Sequence, residues 1–306
     1  APVTAQQYLG YASYAEWKAA TYGVTLGHTR PSAIPQPQYR GGAETCDCWH
    51  EPDGTYTEID NGSEWGACGF QNADDGSYGP IVLPFSFDFY GQLYNTVYIN
   101  TNGNITMTDC LTSFTSTGFP DPTSVIVGAF WADVDLNGFG VNINRVQYKV
   151  TPTALYVNWT NVGYYPSETD LLNTFQIIIT DGTDPVVANG ANTSFCYKDM
   201  QWTTGAANSG VGGFGGNPAN VGANKGDGVN YIQFGRFDQA GAAYDGPFGA
   251  NDGIDFLDDK YFTFTTDITF ANVPPVITGQ SACDTLVLCV NEASILQVTF
   301  LSPEPD

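Results

Sequence analysis

The chain runs to 306 residues, which at roughly 100–200 residues per domain points to two domains. It carries 9 Lys and Arg against 32 Asp and Glu, a net charge of -23, so phosphate backbones and anionic lipid are repelled and nucleic-acid or membrane-surface binding is a poor reading. Charged residues make up 13% and aromatic residues 14%, so a polar surface of Asn, Thr, Ser, Gln and Gly covers a sizeable core, as in exported β proteins rather than disordered chains.

The opening Ala1-Pro2-Val3-Thr4 carries no initiator Met and reads as a mature end left after a signal peptide is removed. Ser13-Tyr14-Ala15-Glu16 fits a capping box, and Gly23 is a good residue to follow a last helical turn, so one short helix is predicted at about residues 13–22. Pro31 to Gln38 holds three prolines and reads as an extended strap. Residues 1–40 form this N-terminal segment, and the main β domain is assigned to residues 41–272.

Within it, Ile81 to Tyr90 alternates Phe85, Phe87 and Phe89 against Ser86 and Asp88, the period-2 pattern of a half-buried strand. Asn95 to Asn100 follows, then Asn102-Gly103 as a type I′ hairpin signal with Ile105 and Met107 in the return strand. Val125 to Trp131 is a near-continuous apolar run, hence a buried strand. Arg145 to Val150, Ala154 to Thr160 and Thr174 to Thr180 continue the series. Residues 203–228 are glycine-rich, and strands resume at Val229 to Phe237 and Lys260 to Thr266. Short strands at this spacing with Gly, Pro and Asn turns predict a mainly β fold, a β-sandwich. Val273-Pro274-Pro275 reads as a linker, and residues 273–306 as the first strands of a truncated Ig-like repeat, too few to bury a core alone. No run approaches the ~20 apolar residues that span a bilayer, so no membrane insertion is expected.

Seven cysteines with only two histidines and no CxxC pair favour disulfides in an oxidising compartment over a zinc site. Cys283–Cys289 reads as a clip across one hairpin. Cys68–Cys110 is expected beside it, with Cys196 joined to either Cys46 or Cys48.

Phe87-Asp88-Phe89-Tyr90-Gly91, Val97-Tyr98-Ile99-Asn100-Thr101-Asn102-Gly103, Phe119-Pro120 and Phe130-Trp131-Ala132-Asp133-Val134-Asp135 occur in that order. Asn173-Thr174-Phe175-Gln176, Met200-Gln201-Trp202-Thr203-Thr204-Gly205 and Val221-Gly222 follow them. This series resembles the nidogen-like (NIDO) domain of extracellular adhesive proteins. More narrowly, Cys46-Asp47-Cys48-Trp49 and Tyr231-Ile232-Gln233-Phe234-Gly235-Arg236-Phe237 look like nidogen-like proteins of Bacteroidota, carried by large surface or gliding-associated adhesins. The resemblance implies a β-rich extracellular module at the bacterial cell surface, delivered by the Sec and type IX route, with a role in adhesion.

Asp133-x-Asp135-x-Asn137-Gly138 has the spacing of the first half of an EF-hand loop, where alternating oxygens and a sharp glycine turn wrap a hard cation such as Ca2+. Position twelve would be Asn144 rather than Glu and no helices flank it, so the pair reads rather as a structural corner that caps backbone amides beside Trp131. Asn251-Asp252-Gly253-Ile254-Asp255 is a second acidic cluster: Asp252 and Asp255 are candidate Ca2+ ligands, or an ordinary turn. The aromatic loop Tyr164-Tyr165-Pro166 is a candidate ligand-contact surface, with loop packing as its plainer reading.

No Gly-x-Ser-x-Gly elbow, HExxH or phosphate loop occurs, and no catalytic residue is assigned. Among the acids, Glu168 and Asp170 are the best pair for a glycan hydrolase. Four Asn-x-Ser/Thr sequons, at Asn61, Asn104, Asn158 and Asn192, read as chance in an Asn- and Thr-rich chain. The leading expectation is therefore a non-catalytic adhesion module that binds a surface glycan or an extracellular protein and sits beside neighbouring domains of the same adhesin. A carboxylate-dependent glycan hydrolase and a module docking into a surface filament are the alternatives.

Overall fold

A computed structural model describes residues 14–23, 48–187, 190–247 and 251–266. The expected second domain at 273–306, the Cys283–Cys289 clip, Cys46 and the proline strap lie outside the described residues.

Among the described residues the chain builds α1 (Tyr14–Tyr22) and then thirteen strands. They are β1 (Thr57–Glu58), β2 (Ser77–Phe89), β3 (Gln92–Asn100), β4 (Asn104–Thr106), β5 (Ile126–Trp131), β6 (Arg145–Val150), β7 (Ala154–Tyr164), β8 (Glu168–Thr180), β9 (Thr193–Met200), β10 (Ala219–Asn224), β11 (Tyr231–Gln239), β12 (Asp252–Gly253) and β13 (Tyr261–Phe264). They form a six-stranded sheet in the order β1-β6-β7-β8-β9-β13 and a seven-stranded sheet in the order β12-β11-β10-β5-β4-β3-β2. Every pairing is antiparallel except β11 with β12.

The alternating phenylalanines of β2 point inward and are buried while Val82, Pro84 and Ser86 between them are exposed, which is how a pleated strand separates core from solvent. The two sheets meet through these inward rings. Phe130 of β5 lies 5.5 Å from Phe175 of β8, Phe234 of β11 lies 6.0 Å from Phe195 of β9, and Tyr197 donates its hydroxyl to the Ala129 carbonyl across the layers. Trp159 stacks on Phe175 at 5.2 Å, and Trp202 meets Phe130 edge-on at 5.4 Å. The expected mainly β sandwich with one short N-terminal helix is thus the observed fold.

Three local expectations change. The Asn102-Gly103 turn is not type I′: Asn100 pairs with Asn104 around a three-residue connection, and only Gly103 takes a left-handed φ, of 74°. A side chain is also excluded at Gly103, since a Cβ would fall 2.0 Å from the Phe130 carbonyl oxygen. β7 and β8 extend past the predicted strands, so that Tyr164 pairs directly with Glu168. Finally, β10 lies inside the glycine-rich stretch as an entirely buried strand between β5 and β11.

Two disulfides are present among the described residues, Cys48–Cys196 and Cys68–Cys110. The first ties the strap at 48–50 to β9. There Asn158 and Gln176 donate their amides to the His50 carbonyl, and the His50 ring lies 5.3 Å from Tyr156. The second ties the segment before β2 to the loop after β4.

Candidate functional site

One end of the sandwich gathers acidic side chains from three turns. Asp74 and Asp75 precede β2, Asp133 follows β5, and Asn102 lies in the β3–β4 connection between them. The backbone there is fixed closely. Thr101 donates its hydroxyl to the Asp74 carbonyl at 2.6 Å and its amide to the Gly76 carbonyl at 3.0 Å, while Gly76 packs so tightly that a Cβ would sit 1.9 Å from the Asn72 carbonyl oxygen. Asn102 bridges the groups: its Nδ2 donates to Asp75 at 2.7 Å and its Oδ1 accepts from the Val134 amide at 2.9 Å.

The cation of this centre comes from the N-terminal helix. Lys18 of α1 places its ammonium 3.2 Å from both Asp74 oxygens, 3.0 Å from Asp75 Oδ2 and 2.5 Å from Asp133 Oδ1, with all four side chains buried. The Phe114 and Tyr165 rings enclose it, their centroids 4.0 and 4.2 Å from Nζ. Tyr22, one turn along α1, meets Phe114 edge-on at 5.1 Å.

Burial alone would lower the lysine's pKa, but the Coulomb field of Asp133, Asp74 and Asp75 outweighs it and holds the ammonium well above its usual range. Burial pushes Asp74 well up and Asp133 to about 7, each partly opposed by Lys18. Three carboxyls facing one ammonium would leave surplus negative charge in a dry site, and partial protonation relieves it.

The sequence-predicted candidates distribute differently. Asp133 joins Asp74 and Asp75, and these three are the carboxylate group among the described residues close enough to hold a metal ion. Asp135 does not join them. Its Oδ1 accepts from the Asn137 amide and Nδ2, and its Oδ2 from the Ser167 amide and hydroxyl, which is the work of a corner cap. Asp252 is buried and accepts from the amides of Arg236 and Asp245, and burial pushes it up to about 6, whereas Asp255 is exposed in a short 3-10 turn.

Tyr164 and Tyr165 are not a surface. They are 4% and 0% exposed, and they serve instead to pack Trp202 and to cover Lys18. Tyr164 also donates its hydroxyl to Asp170 at 3.0 Å. Asp74, Asp75 and Lys18 were missed because their partners lie 56 to 115 residues apart in the chain. The signal available was Asp74-Asp75-Gly76, an acidic pair ahead of a turn glycine. Three of the sequon asparagines, Asn104, Asn158 and Asn192, are buried.

Exposed apolar residues mark a different place. The loop after the Asp135 corner carries Phe139 at 91% and Val141 at 86% exposure.

Residues 49–243 match the family described as "NIDO related". The chain belongs to the NIDO-related family. The Asp133-containing signature and the strands from β1 to β11 fall inside the matched span. This NIDO-related chain is 32% identical to alpha-tectorin of Homo sapiens over 186 residues, 52% of the chain and 8% of the tectorin. Over 153 residues it is 29% identical to nidogen of Drosophila melanogaster, 41% of the chain and 11% of the nidogen. It therefore spans only a small part of the length of the curated relatives it matches. No solved structure matches it.

Proposed function

We propose that this NIDO-related domain is a non-catalytic, extracellular binding module, with a surface glycan or an extracellular protein as its partner. Membership of the NIDO-related family carries this reading, together with the use made of its buried acids. Asp135, Asp252 and Asp258 each accept backbone amides, and Asp133 holds Lys18, so the most perturbed carboxyls are engaged in holding the fold. Two disulfides fit an oxidising, exported setting. The finer reading, a Bacteroidota surface or gliding-associated adhesin exported by the type IX route, rests on the motif series of the sequence.

Contact is assigned to the Phe139-Gly140-Val141 loop, whose two apolar side chains stand in solvent. The test is a glycan array and a matrix-protein panel probed with the wild type and with Phe139→Ser/Val141→Ser. Saturable binding lost in the double variant at unchanged melting temperature supports the reading. Turnover of a polysaccharide that Glu168→Gln abolishes overturns it in favour of a hydrolase. Calcium belongs to this reading as a competitor of Lys18 for Asp74, Asp75 and Asp133. A chelator that lowers the melting temperature supports resident calcium, and no change removes it.

A further inference from the structure

A buried amine touching a buried carboxyl, with a second carboxyl also on the amine, is the arrangement from which an amide forms. We propose that Lys18 and Asp133 condense into an intramolecular isopeptide bond, Nζ to Cγ, that fastens α1 covalently to the sandwich. The proposal is independent of the ligand that the module binds.

The geometry meets each requirement. Nζ lies 2.5 Å from Asp133 Oδ1, and both side chains are fully buried. Phe114 and Tyr165 wall off the amine. The other oxygen of Asp133, Oδ2, is buried without a hydrogen-bond partner and faces Gly205, where a Cβ would fall only 2.4 Å away. With no donor holding that oxygen, the carboxyl is not locked as an anion, in keeping with a pKa pushed up to about 7 by burial. Asp74 reaches the amine with both oxygens at 3.2 Å and is placed to relay protons.

The step balances without an oxidant or reductant. Asp74 takes the extra proton from the Lys18 ammonium. The freed amine lone pair then adds to Cγ of the protonated Asp133 carboxyl. One N–Cγ bond forms and one Cγ–O bond breaks. The hydroxyl leaves with one amine hydrogen as water, and the ammonium's proton stays on Asp74. The ammonium's high pKa makes the free amine a minor species, so the reaction is slow, but it needs to happen only once per molecule. Fixed neighbours react as if at about 10⁵–10⁸ M, which favours condensation over the hydrolysis that prevails between free molecules in water. The product is a neutral amide where an ion pair stood, a gain in a dry, acid-rich site.

The test is the intact mass of the full chain after reduction and denaturation. The wild type is expected to be lighter than its sequence by one water, whereas Lys18→Arg, which keeps the cation, and Asp133→Ala show full sequence mass. Arg40 and Arg145 bound the tryptic pieces, since Arg30 precedes Pro31 and is not cleaved, so residues 1–40 should stay joined to residues 41–145 under reducing conditions, with fragmentation placing the link on Asp133. Asp74→Asn should slow the appearance of the lighter species. A wild type at full sequence mass, or a link on Asp74 or Asp75, overturns the proposal. Circular dichroism of Lys18→Arg distinguishes a missing bond from a missing fold.

Discussion

A methionine at position 18 would keep the length of the lysine stem and remove its charge. Asp74, Asp75 and Asp133 would then face one another with no counter-ion among them. Removing one partner of a buried ion pair typically costs about 3–5 kcal/mol, because the remaining charge stays desolvated. Lys18→Met is therefore expected to lower the unfolding free energy read from urea titration by an amount of that order. The loss should be larger at pH 8 than at pH 5, since the orphaned carboxyls can protonate at the lower pH. Equal losses at both pH values would show that the helix, not the charge, carries the effect. Gly103→Ala acts through the backbone instead. It places a side chain at φ 74° and against the Phe130 carbonyl, so a loss of at least about 1–3 kcal/mol is expected in the same titration.

At the scale of elements, Asp258 links two strands of the six-stranded sheet: it accepts the Met200 amide at the end of β9 from the turn that leads into β13. Burial pushes Asp258 to about 7 and Asp252, beside β11, to about 6. Both folded values lie above the roughly 4 of an unfolded aspartate. The folded state thus holds protons that the unfolded chain has released. Stability from these groups is full below about pH 4 and declines as the pH climbs through 6 and 7. Denaturant midpoints measured across pH 4–8 should fall over that window, and Asp258→Asn, which keeps the acceptor oxygen, should flatten the decline. The Cys48–Cys196 bridge works at the same scale. Its removal by Cys48→Ser/Cys196→Ser is expected to cost about 2–5 kcal/mol, read as a lower melting temperature under non-reducing conditions.

Elements with strong periodicity were legible in the sequence. β2 shows its phenylalanines at every second position, β5 is a run of apolar residues, and the helix ends at Gly23 in a left-handed conformation. β10 was not. Ala219-Asn-Val-Gly-Ala-Asn carries little hydrophobic signal, yet all six residues are buried because the strand sits between two others and is covered on both faces. Gly222 is needed there, since a Cβ would meet the Ile232 carbonyl oxygen at 2.1 Å. The site was half legible. Asp133 and Asp135 stood out by spacing, but spacing along the chain cannot show that one aspartate turns toward a lysine 115 residues away while the other turns back on its own corner.

Across the whole molecule, the charge of -23 favours solubility, while the exposed Phe139 and Val141 offer the apolar surface proposed for contact. Like-charged copies repel at low salt, and that repulsion is screened within a Debye length of about 8 Å at physiological ionic strength. If the apolar loop carries the contact, binding should hold or strengthen as salt rises, in surface plasmon resonance at increasing ionic strength. A steep loss with salt would place the contact on charged groups.

The outer margins of the two sheets bear on how copies can come together. Among the described residues, β1 and β12 each run for two residues and β13 for four, while the long margin at β2 holds Pro80 and Pro84, which have no N–H to offer. A neighbouring chain finds little backbone to zip onto, so growth of a fibre by strand addition is blocked along the flanks. Copies that come together must then meet through the tips of the sandwich, which leaves the flanks as inert walls between them. Pro84→Val is expected to lift that protection and raise light scattering on prolonged incubation.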